Sequence, residues 1–268
     1  MKKTIFSLLA LSGMATAATQ ATIDTTDSAL ESYFNYATGN GQTYGDVTGW
    51  GEFMSWNKEG QYGTTGTSNS MYTDGGINLN MKNDGGFTIS FDVNNITTTG
   101  TILSLLCNHQ NCVNAESEPW RTMKVDITKN DTTGAYTLST LIGDKTLEVG
   151  LGSNISWTTL TFVATANTKG VTENNQLTMN LDVYVNGNRA GGYSNFGAWN
   201  FVAEDLTKIQ FGYFGTPTYN TQLDIDNILI YSRPLDSTEV KALTTPEPTT
   251  ATLSLLALAG LAARRRRK

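Results

Sequence analysis

Cys107-Asn108-His109-Gln110-Asn111-Cys112 holds both cysteines and the one histidine of the chain. Two thiols at this spacing can close a disulfide, join a metal or do redox work. A zinc centre needs more ligands than two thiolates and His109. Redox pairs usually have a two-residue spacer, and this one has four. In an exported chain the simplest reading is a structural Cys107–Cys112 disulfide that pins a loop between strands. The loop it closes is small, so its entropic gain is modest. A single histidine also removes multi-histidine zinc centres and leaves one candidate base for Ser–His or Cys–His chemistry.

Glycoside hydrolysis needs two carboxyl groups, one acid and one nucleophile or base. Glu148 stands alone, and Glu116 and Glu118 sit beside Pro119 in a loop. No Gly-x-Ser-x-Gly elbow and no His-Glu-x-x-His occur. Sugar recognition asks for other groups: aromatic faces for C–H stacking, and amides and carboxylates for hydroxyls. Trp120, Trp199 and Tyr219 are the candidate ligand-binding residues. For any single aromatic, ordinary packing is the competing role. Asp74, Asp224 and Asp226 are candidate Ca²⁺ ligands, since that ion takes oxygen donors. Turn formation before Gly75-Gly76 competes for Asp74, and strand-end hydrogen bonding competes for the other two.

Strands must position these groups. Phe87, Ile89, Phe91 and Val93 alternate with Thr88, Ser90 and Asp92. The same period of two runs through Met123–Ile127, Leu177–Val185 and Ile209–Tyr213. Shorter candidates are Ile77–Met81, Ile102–Leu106, Tyr136–Ile142 and Trp157–Val163. Asn186-Gly187 after a long strand signals a hairpin. One helix is expected, capped by Asp236 with Glu239 three residues on. Leu235 and Val240 staple its start, and it ends near Leu243. The stretch Leu30–Asp74 matches no pattern and is read as an edge strand with Gly-rich loops. Strands between Gly/Asn/Asp turns give an all-β, two-sheet antiparallel sandwich or jelly roll over residues 22–245.

The chain has 268 residues, is 16% charged and 10% aromatic, and carries a net charge of -6. That composition argues against disorder. An acidic chain repels phosphate backbones, which excludes nucleic acid as a natural partner. Met1-Lys2-Lys3, an apolar run and Ala15-Thr16-Ala17 form a signal peptide, residues 1–17, cleaved after Ala17. At the other end Pro246-Glu247-Pro248 precedes the apolar Leu253–Ala263 and the basic Arg264–Lys268. That apolar run is shorter than a free-standing membrane helix, and the basic cluster holds its end on the cytoplasmic side. Seven of the 18 basic residues and one of the 24 acids lie in these end segments, so the body between them carries -12. Sulfated or sialylated polymers are therefore poor ligands by charge.

Residues 246–268 resemble the PEP-CTERM sorting tail of Gram-negative bacteria: a Pro-Glu-Pro motif, a hydrophobic segment and an Arg-rich end, in order. The resemblance implies an exosortase-type sorting enzyme as partner, and a destination at the cell envelope, surface or extracellular matrix. A second resemblance runs from about Asp74 to Leu243. Leu223-Asp224-Ile225-Asp226-Asn227-Ile228-Leu229-Ile230-Tyr231-Ser232-Arg233-Pro234-Leu235 and the helix after it are similar to the closing strand and helix of LamG-like, concanavalin A-like domains. Gly86–Phe91, Trp157–Phe162 and Leu181–Gly187 fit in order. This implies a concanavalin A-like jelly roll, a scaffold that hosts lectins, hydrolases and adhesion modules. Glycosidases of this general fold often carry two Glu in a Glu-x-Asp-x-(x)-Glu pattern, which this chain lacks. The expectation is an exported, surface-associated, non-enzymatic protein that binds glycans or matrix components. A structural or adhesion role is the alternative, and a glycoside hydrolase the third class.

Overall fold

The computed structural model describes residues 23, 27–34, 50–52, 55–57, 62–64, 70–73, 85–107, 121–142, 145–167, 178–197, 207–212 and 221–244. They form two antiparallel sheets and one short helix. Sheet A runs β13 (Asn188–Gly197), β12 (Thr178–Val185), β11 (Thr158–Ala166), β6 (Gly86–Asn94), β15 (Asp224–Tyr231), β4 (Tyr62–Thr64), β3 (Ser55–Asn57), with β1 (Leu30–Phe34) also paired to β15. Sheet B runs β10 (Lys145–Gly152), β9 (Tyr136–Ile142), β8 (Arg121–Lys129), β7 (Gly100–Cys107), β14 (Thr207–Gly212), β5 (Ser70–Thr73), β2 (Trp50–Glu52). This is a jelly-roll sandwich.

The core follows from the period of two. Phe87, Ile89, Phe91 and Val93 of β6 are fully buried between the sheets, with Leu160 and Phe162 of β11 beside them. Sheet B answers with Met123, Val125, Ile127, Leu138, Ile209 and Phe211. Phe91 stacks on Phe162 at 6.0 Å and meets Phe211 of the facing sheet edge-on at 5.1 Å. Such pairs add to the area term.

β15 changes parity half way. Leu223 and Ile225 join the core, and so do Ile228 and Ile230. The even step between the two pairs is restored by a bulge after Asp226, where Asn227 sits at φ 49°. A bulge of this kind inserts one residue and re-aims the side chains beyond it. Asn tolerates the left-handed conformation.

The outer face of sheet A is also covered. The helix α1 (Ser237–Ala242) carries the expected capping box: Asp236 accepts from the amides of Thr238 and Glu239, and Glu239 accepts from the Asp236 amide. Leu235 and Val240 pack with Leu30, Val163, Tyr184, Leu229 and Tyr231 in a second cluster. Thr88, Ser90 and Asp92, which the alternation places away from the main core, are therefore buried too. Beneath the helix, Ser90 and Thr161 share a hydroxyl bond of 2.8 Å.

Two elements differ from expectation. Leu30–Asp74 supplies five short strands, β1 to β5, spread over both sheets. β10 also went unforeseen. It is a sheet edge whose alternation of Leu147 and Val149 is broken by Gly150 and Gly152. The Asn186-Gly187 turn is as expected, with φ 49° and 72°. The strand expected at Ile77–Met81 lies outside the described residues. Among the described residues no helix is long and apolar enough to cross a membrane.

Candidate functional site

The strands run between two poles. β6 reaches the lower pole at Asn94, and a short turn returns the chain into β7 at Gly100. The lower pole therefore also holds the β8–β9 turn, the start of β11 and the Asn186-Gly187 turn. β7 ends and β8 begins at the upper pole, where Cys107 pairs with Thr207 and Leu106 with Arg121. β13 ends there as well, Gly197 opposite Thr178.

This topology sorts the candidate residues. Cys107 is the last residue of β7, and Cys112, Trp120, Trp199 and Asp74 lie outside the described residues. The strand ends that flank their segments, at Cys107 and Arg121, Gly197 and Thr207, and Thr73, are all at the upper pole. Tyr219, also outside the described residues, belongs to a segment flanked by Gly212 and Asp224 at the lower pole. Ala17 and Pro246-Glu247-Pro248 lie outside them too.

Asp224 and Asp226 are described, and both are buried on the outer face of sheet A, at 4% and 7% exposure. Asp226 accepts the Asn227 amide at 2.8 Å, which serves the bulge. Directly across from it on β6, Asp92 accepts the Thr159 hydroxyl at 2.6 Å on one oxygen and the Asn227 side-chain amide at 2.8 Å on the other. Burial raises the Asp92 pKa above the ordinary aspartate value, and the two hydrogen bonds oppose the rise. A calcium site wants carboxylate oxygens turned to a shared centre. Here both Asp92 oxygens are committed to protein donors. Among the described residues no group of three or more acidic, His or Cys side chains could hold a metal. The cleft beside Asp92, lined by Ile23, Ser90, Thr159, Asn227, Leu229 and Leu243, has room for about one water molecule. It is far too small for a sugar.

The outer face of sheet B is different, and the sequence reading missed it. Its strands place Thr101, Asp126, Ser139 and Glu148 in one cross-strand row, and Ser104, Lys124, Leu141 and Thr146 in the next. Asp126 accepts the Thr101 hydroxyl at 2.6 Å and pairs with Lys124 at 3.0 Å. Leu141 is 39% exposed. Thr101 and Ser104 are fully buried, and the Ser104 hydroxyl has no partner among the described residues. Hydroxyls, a neutralised ion pair and an apolar spot thus stand on rigid strands. Alternation in β8 and β9 was the available signal: Lys124, Asp126, Ser139 and Leu141 are the residues left over once the core is assigned.

The same face bears on hydrolysis. Asp126 and Glu148 stand two strands apart, roughly 9.5 Å between backbones at the usual strand spacing. That is near the separation of an inverting pair. Both Asp126 oxygens, however, are taken by Thr101 and Lys124.

No protein-family model matches the chain. No curated protein matches its sequence. Solved structures do match. The botulinum neurotoxin serotype D binding domain aligns at TM-score 0.53 and 12% identity, over 83% of this chain and 53% of that one. Botulinum neurotoxin type C, whose passage into cells depends on interaction with two ganglioside molecules, aligns at TM-score 0.52 and 13% identity, over 81% and 50%. A heptameric SAP-like pentraxin from Limulus polyphemus aligns at TM-score 0.48 and 10% identity, over 75% and 83%. The chain spans about half the length of the toxin structures it matches. Identities this low speak to architecture alone, and on that ground the chain is a jelly-roll β-sandwich of the kind those toxin binding domains contain.

Proposed function

We propose that this is an exported, surface-held protein whose jelly-roll domain binds neutral glycans or matrix polymers without chemical turnover. One observation carries the reading: the outer face of sheet B, where Lys124, Asp126, Ser139 and Leu141 stand partly or well exposed on adjacent strands. A sugar offers hydroxyl edges and C–H faces, and this row offers donors, acceptors and an apolar spot. Lys124 and Asp126 are paired with each other, and the body is acidic. Both facts favour uncharged ligands over sulfated or sialylated ones. The type C neurotoxin's interaction with gangliosides supports glycan binding in general as a use of such a sandwich; gangliosides are sialylated, so it does not extend to the neutral class, and it carries no residue across at 13% identity.

In this reading residues 1–17 direct export, residues 22–245 form the binding domain, and residues 246–268 hold it at the envelope until an exosortase-type enzyme processes the tail. The strand ends that flank the Trp120 and Trp199 segments all lie at one pole. The test is a glycan array with the exported chain, with Ca²⁺ and with a chelator. Saturable binding to a defined neutral glycan is expected. The hydrogen-bonded state of Asp92 and Asp226 predicts that chelation leaves it unchanged. No binding by folded protein would turn the reading to a structural matrix role.

A further inference from the structure

Both ends of the described domain converge on one pole. Ile23 and Leu243 line the same cleft, beside Asp92 and Thr159. Next to them, Thr244 lies over the Asn186-Gly187 turn: a Cβ added at Gly187 would meet the Thr244 hydroxyl at 2.5 Å and the Lys241 Cα at 3.2 Å. Cleft and turn are both at the lower pole. The arrangement is locked. β1 pairs with β15, and the Ser232 amide donates to the Ala29 carbonyl at 2.8 Å. Arg233 then reaches Asp27 at 2.7 Å and Glu239 at 2.7 Å, tying the incoming segment to the helix.

We infer that the domain stands on its lower pole at a lipid bilayer and presents its upper pole outward. The inference rests on the reading of residues 246–268 as a membrane tail. Between Thr244 and Leu253, where the apolar run starts, eight residues intervene. The nine Cα steps from Thr244 to Leu253, fully extended, reach at most about 32 Å. A nine-residue strand such as β6 is itself about 30 Å long, so the upper pole stands a full domain length further out. Pro246 and Pro248 stiffen the tether. The segments with Trp120 and Trp199 start and finish at that outward pole, and the lower-pole turn Asp131–Thr133 faces the headgroups.

The test uses the full-length chain in phosphatidylcholine–phosphatidylglycerol vesicles with nitroxide-labelled headgroups. Thr132→Cys reports the lower pole and Ser194→Cys the upper; both positions are exposed. Each variant carries a thiol-attached fluorophore, with the parent chain labelled in parallel as baseline. The expected result is at least twofold greater quenching at position 132 than at 194. Equal or reversed quenching in vesicle-bound protein overturns the orientation while leaving the tail reading intact. A chain that does not float with vesicles overturns the tail reading itself, and the orientation falls with it.

Discussion

Replacing Arg233 by Ala tests how the C-terminal helix is held. The guanidinium donates to both Glu239 oxygens, at 3.0 and 2.7 Å, and to Asp27 at 2.7 Å. It also lies 5.9 Å from the Tyr231 ring. Exposed pairs are worth about 0.2–1 kcal/mol each, with two-pronged Arg geometry at the upper end. Arg233 is 33% exposed and Glu239 38%, so solvent screening keeps the sum low. The expected loss is about 1–2 kcal/mol at neutral pH. Acid should shrink it. The Arg233 hydrogen bond is the main cause that lowers the Glu239 pKa. A group whose folded value is depressed stabilises above its unfolded value, and that stability is lost as pH falls through the folded one. Urea unfolding of both proteins at neutral pH and at pH values below the ordinary glutamate range measures this. A double-mutant cycle with Glu239→Gln isolates the pair. Zero coupling, or a loss that does not change between neutral and acid, would refute the reasoning.

The Ser90 and Thr161 hydroxyls hydrogen-bond to each other under the helix. Ser90→Ala or Thr161→Val alone should cost about 1–3 kcal/mol by stranding a buried hydroxyl. The double variant should cost less than either single, as chemical denaturation would show. Asp92→Asn bears on the opposite charge effect. Burial raises the Asp92 pKa in the fold, so its contribution favours folding at low pH and is lost as pH rises through the raised value. Stability curves from acid to neutral should therefore show the variant gaining on the parent as pH rises. A gap that stays flat would contradict this.

The central strands were legible because β6, β8, β11 and β12 turn alternate residues into the main core, so apolar residues repeat every second position, whether or not the other face is also covered. The capping box was legible because its two partners are three residues apart. β10 was not, because an edge strand buries little and its glycines blur the period. Asp224 and Asp226 are candidate oxygen donors on sequence alone. Their surroundings are set by β6 and by the Asn227 bulge, and sequence shows neither neighbour. The sheet B face needs three strands in register before Thr101, Asp126 and Ser139 become one row. No local motif announces it.

The most direct test of the glycan-binding account is calorimetric titration of an array-selected glycan into three chains: parent, Ser139→Arg and Thr238→Arg. Ser139 lies on the sheet B row, and Thr238 is exposed on the helix over sheet A. At least tenfold weaker binding by Ser139→Arg with unchanged Tm, and parent-like binding by Thr238→Arg, are expected. Full affinity in Ser139→Arg, or loss confined to Thr238→Arg, would contradict it.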